Sequence, residues 1–151
     1  MQKQLKVSAI KDGTVIDHIP TIALFKVIKI LKLEDCSQMV TFGNNLDSKA
    51  MGAKAIIKIA NRYFADEELN KIALVAPHAK LNIIRNYEVI EKKVVEIPRE
   101  IKGIVHCFNP KCITNGENIT TRFEILSIKP IAMKCYYCEK ITNENEMLFF
   151  Q

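Results

Sequence analysis

Apolar residues change their rhythm along this chain, and each change marks an element. Leu5, Val7 and Ala9 alternate with Lys6 and Ser8, Lys11-Asp12-Gly13-Thr14 carries turn chemistry, and Val15-Ile16 resumes the apolar run. That is the pattern of a strand, a tight turn and a short strand. Pro20 suits the first turn of a helix, where its missing N–H costs nothing. Beyond it Ile22, Phe25, Ile28 and Leu31 recur at helical spacing against Lys26, Lys29 and Lys32, which predicts an amphipathic helix to about Leu33. Residues 38–42 predict a strand ended by Gly43-Asn44-Asn45, and 46–51 a loop closing at Gly52. Segment 53–61 has the alanine and lysine of a helix, yet β-branched Ile56, Ile57 and Ile59 surround Lys58, and it is read as strand. Asp66 is a candidate N-cap, Glu67 and Glu68 suit a first turn, and Leu69, Ile72, Ala73 and Val75 form a stripe that Pro77 stops. Residues 81–90 alternate as a further strand, with 92–95 as its hairpin partner.

The order strand, helix, strand, strand, helix, strand matches a ferredoxin-like βαββαβ sandwich, an α+β arrangement with two helices on an antiparallel sheet. A break follows at Glu96-Ile97-Pro98-Arg99. Beyond it the extended runs 104–106, 120–128, 131–134 and 147–150, separated by turns, predict a small all-β domain. Two domains are therefore expected, 1–97 and 98–151.

Four of the five cysteines stand in the second domain, Cys107 and Cys112 as C-x4-C, then Cys135 and Cys138 as C-x2-C. Two thiolates on a tight turn can bite one ion, and two such knuckles complete an all-sulfur tetrahedral shell with no open position. Structural zinc is the expectation, supplying much of the folding free energy of so small a domain. The competing reading, two disulfides, suits an oxidising compartment, but residues 1–10 lack the apolar segment of a secretory signal. No apolar run approaches the roughly 20 residues of a membrane span, so a cytoplasmic protein without a membrane partner is expected. Cys36 stands alone and reads as a small buried hydrophobe. His106 points away from the metal by strand alternation, and His78 follows the helix stop. No nucleophile and base fall into a catalytic pattern.

Charge refines the choice of partner. The chain carries a formal +5, with 15 Lys and Arg against 11 Asp and Glu up to Ile97 and 7 against 6 beyond it. A zinc tetrathiolate subtracts two from the second domain and leaves it slightly acidic, a poor footprint for a phosphate backbone. A zinc ribbon that binds nucleic acid is thus the weaker alternative. The excess positive charge lies on the first domain, where it can serve a small polyphosphate.

Gly13-Thr14-Val15-Ile16-Asp17-His18-Ile19-Pro20, Ile57-Lys58-Ile59, Asn86-Tyr87-Glu88-Val89 and the cysteine quartet ending Lys134-Cys135-Tyr136-Tyr137-Cys138-Glu139-Lys140 together resemble the regulatory chain of aspartate carbamoyltransferase. The resemblance runs through both domains in the family's order. It implies a non-catalytic subunit in pyrimidine biosynthesis, whose first domain binds CTP as inhibitor and ATP as activator and whose zinc domain contacts the catalytic chains. Regulatory chains of the family pair as homodimers. Carried over residue by residue, the nucleotide lies against Ser8, Ala9, Ile10, Asp17 and His18, its phosphates meet Lys58 and Lys92, and base and ribose meet Asn82, Ile84, Tyr87 and Val89. Ser8 stands where well-known members carry an acidic residue. Lys54 and the segment near Lys6 can join a second nucleotide and Mg2+. Without the resemblance, Asp17 reads first as a helix cap and His18 as a core histidine.

Overall fold

The structure is a computed structural model that describes residues 8–150. It divides into two compact units, Met1–Glu96 and Ile97–Gln151, each with its own core.

In the N-terminal unit β1 (Gly13–Ile19), β2 (Val40–Ser48), β3 (Gly52–Ala60), β4 (Lys80–Arg85) and β5 (Glu88–Val94) form one antiparallel sheet in the order β2-β3-β1-β4-β5. Helices α1 (Leu24–Ile30) and α2 (Asp66–Asn70) occupy the two crossovers, α1 with a 3-10 turn on either side and α2 followed by one. The order β4-β1-β3-β2 with two helices is the ferredoxin-like sandwich, extended at one edge by β5. Alternation in β3 sets its two faces. Ala55, Ile57 and Ile59 are fully buried with Ile16, Leu24, Val27, Leu69, Ile72 and Leu81, while Lys54, Ile56 and Lys58 on the other face are half-buried. Gly13 opens β1 at φ +139°, and a Cβ there would sit 2.1 Å from the carbonyl oxygen of Ile59, so only glycine permits this approach of β1 to β3.

Several expectations shift. Of the strand predicted at residues 5–9, the part up to Val7 lies outside the described residues, and Ser8 and Ala9 are not in a strand; β1 begins instead at Gly13. The continuous helix to Leu33 is shorter, and its buried face is Ala23, Leu24, Val27 and Leu31, leaving Ile22 87% and Phe25 60% exposed. Residues 22–31 are apolar on more than one face, so their spacing alone does not choose which stripe turns inward. Strand β2 runs on to Ser48 through the predicted loop. The strand read at 81–90 is two strands, split by a turn at Asn86 (φ 52°) and Tyr87 (φ 67°), the left-handed pair of a type I′ hairpin. Ala65 takes the cap position assigned to Asp66, and Cys36 is half-buried rather than buried.

The C-terminal unit holds a four-stranded antiparallel sheet, β10-β9-β8-β6 in order, built from β6 (Glu100–Lys102), β8 (Arg122–Ile128), β9 (Ile131–Cys135) and β10 (Ile141–Asn143). A ribbon of β7 (Val105–His106) with β11 (Leu148–Phe149) and a single turn α3 (Ile113–Gly116) complete it. Ile101, Ile104, Val105, Phe123, Ile131 and Met133 are its buried apolar side chains, closed off by Cys107, Cys112 and Cys135. Among the described residues no helix is long and apolar enough to cross a membrane.

Candidate effector and metal sites

Helices cover one face of the N-terminal sheet, and the other face carries the polar residues of interest. Pairing aligns them in rows. Val15 faces Lys58 on β3 and Asn82 on β4, and Asn82 in turn faces Lys92 on β5, so Lys58, Asn82 and Lys92 share one line across four strands. One row further, Asp17 faces Lys80 and Lys80 faces Val94. Between these strands lies a cleft of about 490 Å³ lined by Asp17, His18, Lys80, Asn82, Lys92, Lys93 and Val94.

A bulge in β1 builds the rim of this cleft. The β1–β3 register shifts between Ile16 and Ile19, and His18 sits at φ 59°. Asp17 holds the bulge: its Oδ1 accepts the His18 N–H at 2.7 Å and pairs with Lys54 Nζ at 2.8 Å. The aspartate therefore caps no helix. His18 Nδ1 is 3.6 Å from the same oxygen, beyond hydrogen-bond reach, and is buried without a hydrogen-bond partner among the described residues. Lys58 Nζ donates to the carbonyl oxygen of Ser8 at 3.0 Å. Burial lowers the pKa of Lys58, and the negative charge of Asp17 pulls it partly back.

The remaining predicted residues gather at the neighbouring end of the same face. Ile10 is buried with Val15, Ala60 and Ile84, with Ile56 packed beside them, so the exposed stretch Ser8-Ala9 is pinned to the sheet by its next residue. The β4–β5 turn folds against the turn before β1: Tyr87 N–H donates to Lys11 O at 2.8 Å and Asn86 N–H to Asp12 Oδ1 at 3.0 Å. Tyr87 and Val89 are exposed there. The cleft proper thus unites Asp17, His18, Asn82 and Lys92, while Ser8, Ala9, Ile10, Lys58, Ile84, Tyr87 and Val89 flank it. Lys80 and Lys93 also line the cleft and were missed by sequence reasoning; the signal was the i, i+2 placement of Lys80 before Asn82 on one strand. Lys6 lies outside the described residues.

In the C-terminal unit the two knuckles meet. The four sulfurs of Cys107, Cys112, Cys135 and Cys138 all lie within 4.8 Å of one another. Two pairs join one knuckle to the other, Cys107 to Cys138 at 3.6 Å and Cys112 to Cys135 at 3.7 Å. A tetrahedron with metal–sulfur bonds of about 2.3 Å has edges of about 3.8 Å, which these pairs match, whereas a disulfide needs about 2.0 Å. The cysteines are free, and the disulfide reading falls.

Surrounding groups hold the sulfurs in place. Asn115 Nδ2 donates to Cys107 O at 2.8 Å and to Asn109 O at 2.7 Å, bracing the first knuckle, and Thr114 Oγ1 donates to Cys112 Sγ at 3.2 Å. Burial pushes the Cys107 thiol far up and raises Cys135 as well, although the Asn109 amide opposes it at Cys107 and the Cys138 and Tyr137 amides at Cys135. Burial also works against Cys138, but hydrogen bonds from Asn109 and the Lys140 backbone bring it down to about 7. Buried sulfurs that resist ionisation in their own company become good ligands once a cation balances them. His106 takes no part and stacks on Phe150 with ring centroids 3.6 Å apart.

The family profile "Aspartate carbamoyltransferase regulatory chain, allosteric domain" matches residues 5–96, and "Aspartate carbamoyltransferase regulatory chain, metal binding domain" matches 99–148. A protein of Bacteroides fragilis named aspartate carbamoyltransferase regulatory chain is 55% identical over 139 residues, covering 92% of this chain and 91% of the relative. One of the same name from Pyrococcus abyssi is 52% identical over 147 residues, covering 96% and 97%. Matching in both of its units and along nearly its whole length, this chain belongs to the aspartate carbamoyltransferase regulatory chain family, an allosteric domain followed by a metal-binding domain with four clustered cysteines.

Proposed function

We propose that this chain is the regulatory, non-catalytic subunit of aspartate carbamoyltransferase, that its N-terminal domain binds CTP as inhibitor and ATP as activator on the open face of the sheet, and that its C-terminal domain docks on the catalytic chains. The observation that carries the reading is the row Lys58–Asn82–Lys92, with the Asp17-His18 bulge beside it and the Ile10, Ile84, Tyr87 and Val89 cluster at its end. A triphosphate carries about four negative charges, and lysines on adjacent strands act on it as point charges, most strongly where water is partly excluded. The apolar end suits a base, and the unpartnered His18 Nδ1 has a hydrogen bond to offer.

Zinc is the ion the four thiolates suit, held in a closed shell as a structural element. The residues Cys107, Cys112, Cys135 and Cys138 would hold it, and it would supply cross-linking rather than chemistry. The boundary between the two roles falls near Ile97. Edge strand β2 and the exposed rings of Phe25 and Phe42, 6.0 Å apart, support a regulatory homodimer formed across that edge. Lys54, tied to Asp17, could serve a second nucleotide with Mg2+. Effector binding would bias two arrangements of the assembly, and about 1–3 kcal/mol of coupling suffices to alter substrate affinity several-fold or more. The nucleic-acid reading is not favoured, because basic residues barely exceed acidic ones in the metal domain even before a tetrathiolate's charge is subtracted.

Titration calorimetry of the zinc-loaded chain with CTP, ATP and a random oligonucleotide tests the reading. CTP and ATP should compete for one site and the oligonucleotide should give no heat; silence with both nucleotides would reject it. Copurification with a catalytic chain tests the docking role.

A further inference from the structure

We infer that Lys80 is a further phosphate-binding residue of the cleft, one that meets the terminal phosphate of a bound nucleoside triphosphate; the inference rests on the effector site proposed above. Three rows cross the open face in order. Gly13 pairs with Ile84 and Ile84 with Val89 at the apolar end; Lys58, Val15, Asn82 and Lys92 form the middle row; Asp17, Lys80 and Val94 form the third. Successive rows are two residues apart, about 7 Å along the strands. A nucleotide with its base against Ile84 and Tyr87 and its first phosphates at the middle row therefore has the third row beneath its far end.

The charges of the cleft are not equally available. Lys54 is paired with Asp17 at 2.8 Å, and Lys93 with Asp66 at 2.9 Å and Glu91 at 3.7 Å. Lys80 and Lys92 both line the cleft and form no ion pair with any carboxylate among the described residues. They are diagonal neighbours on β4 and β5, at the separation that long side chains span. Two uncommitted ammonium groups on one wall form a clamp for adjacent phosphates, whereas Asn82 can offer only hydrogen bonds there. The signature of such a residue is dependence on phosphate number.

The experiment measures binding of CTP, CDP and CMP to the full zinc-loaded chain by calorimetry, for the unaltered protein, K80Q and K80R. Lys80 is exposed, and CMP affinity serves as the check that the site is folded. K80Q should lose about tenfold in CTP affinity, the size of one partly screened charge contact, with CMP affinity kept, and K80R should retain most CTP affinity. If the unaltered chain distinguishes CTP from CMP and K80Q distinguishes them equally well, Lys80 is not a phosphate ligand and the effector site stands. If the unaltered chain binds no triphosphate, the effector reading fails and this inference with it.

Discussion

Stripping the metal from the four-cysteine centre should unfold the C-terminal unit and leave the N-terminal unit intact. The unit Ile97–Gln151 buries few large apolar side chains, chiefly Ile101, Val105, Phe123, Ile131 and Met133, and three of the cysteines complete its interior. At about 0.05–0.15 kcal/mol per residue, a domain of about 55 residues holds about 3–8 kcal/mol in total. A structural zinc in small domains binds with about 10–16 kcal/mol, more than that total, so the remaining contacts cannot hold the fold alone. The sulfurs left behind would add a cost, because their S···S separations of 3.6 and 3.7 Å keep the knuckles together only while a cation bridges them. The N-terminal unit has an independent core around Ile16, Leu24, Ile57 and Leu81 and contributes none of the four sulfurs. Hydrogen exchange read by mass spectrometry, on the full chain before and after chelation, separates the units. Amides of β8 and β9 should lose protection while those of β1, β3 and β4 keep it. Protected β8 and β9 in verified metal-free protein would refute the reasoning, and so would simultaneous loss in both units.

Asn115→Ala removes both hydrogen bonds that brace the first knuckle and should weaken metal affinity by about 10- to 100-fold, read by competition with a chelator. Gly13→Ala places a Cβ 2.1 Å from Ile59 O at φ +139° and should cost about 2 kcal/mol or more, seen as a lowered thermal midpoint; an unchanged midpoint would show that β1 can retreat. Lys58 has a folded pKa lowered first by burial, so between its folded and unfolded values the unfolded chain holds the proton more often and stability rises with pH. The stability of the unaltered chain relative to Lys58→Met should therefore improve as pH climbs through the depressed value toward the ordinary lysine range. Denaturant titrations at neutral and alkaline pH measure it, and a difference that stays flat or moves the other way contradicts the assignment.

Legibility in the sequence followed the range of each interaction. Cysteine spacing was enough for the metal centre because chelation by a knuckle is local, and the two knuckles had only each other to complete a shell. Strand β3 was legible from Ile57 and Ile59 around Lys58, since alternation is enforced within the strand itself. The face of α1 was not: Leu24 and Val27 turned inward and Ile22 and Phe25 outward, a choice made by the sheet beneath and not by the helix. The hairpin turn at Asn86-Tyr87 escaped notice because it lacks glycine and relies on two non-glycine residues in the left-handed region. The proposed effector residues were recognisable only through family resemblance, because a lone lysine on a strand has no local mark of purpose.

The sequence by itself determined the α+β class and the four sulfurs that close on an ion, both of which depend on residues near one another along the chain. Tertiary structure alone decided which lysines face each other, that Asp17 spends its charge on Lys54 and Lys93 on Asp66, and that Lys80 and Lys92 stay uncommitted above an open sheet. The physical reason is that antiparallel register brings residues from four distant strands into one row, and electrostatic partnership is a property of that row rather than of any segment in it.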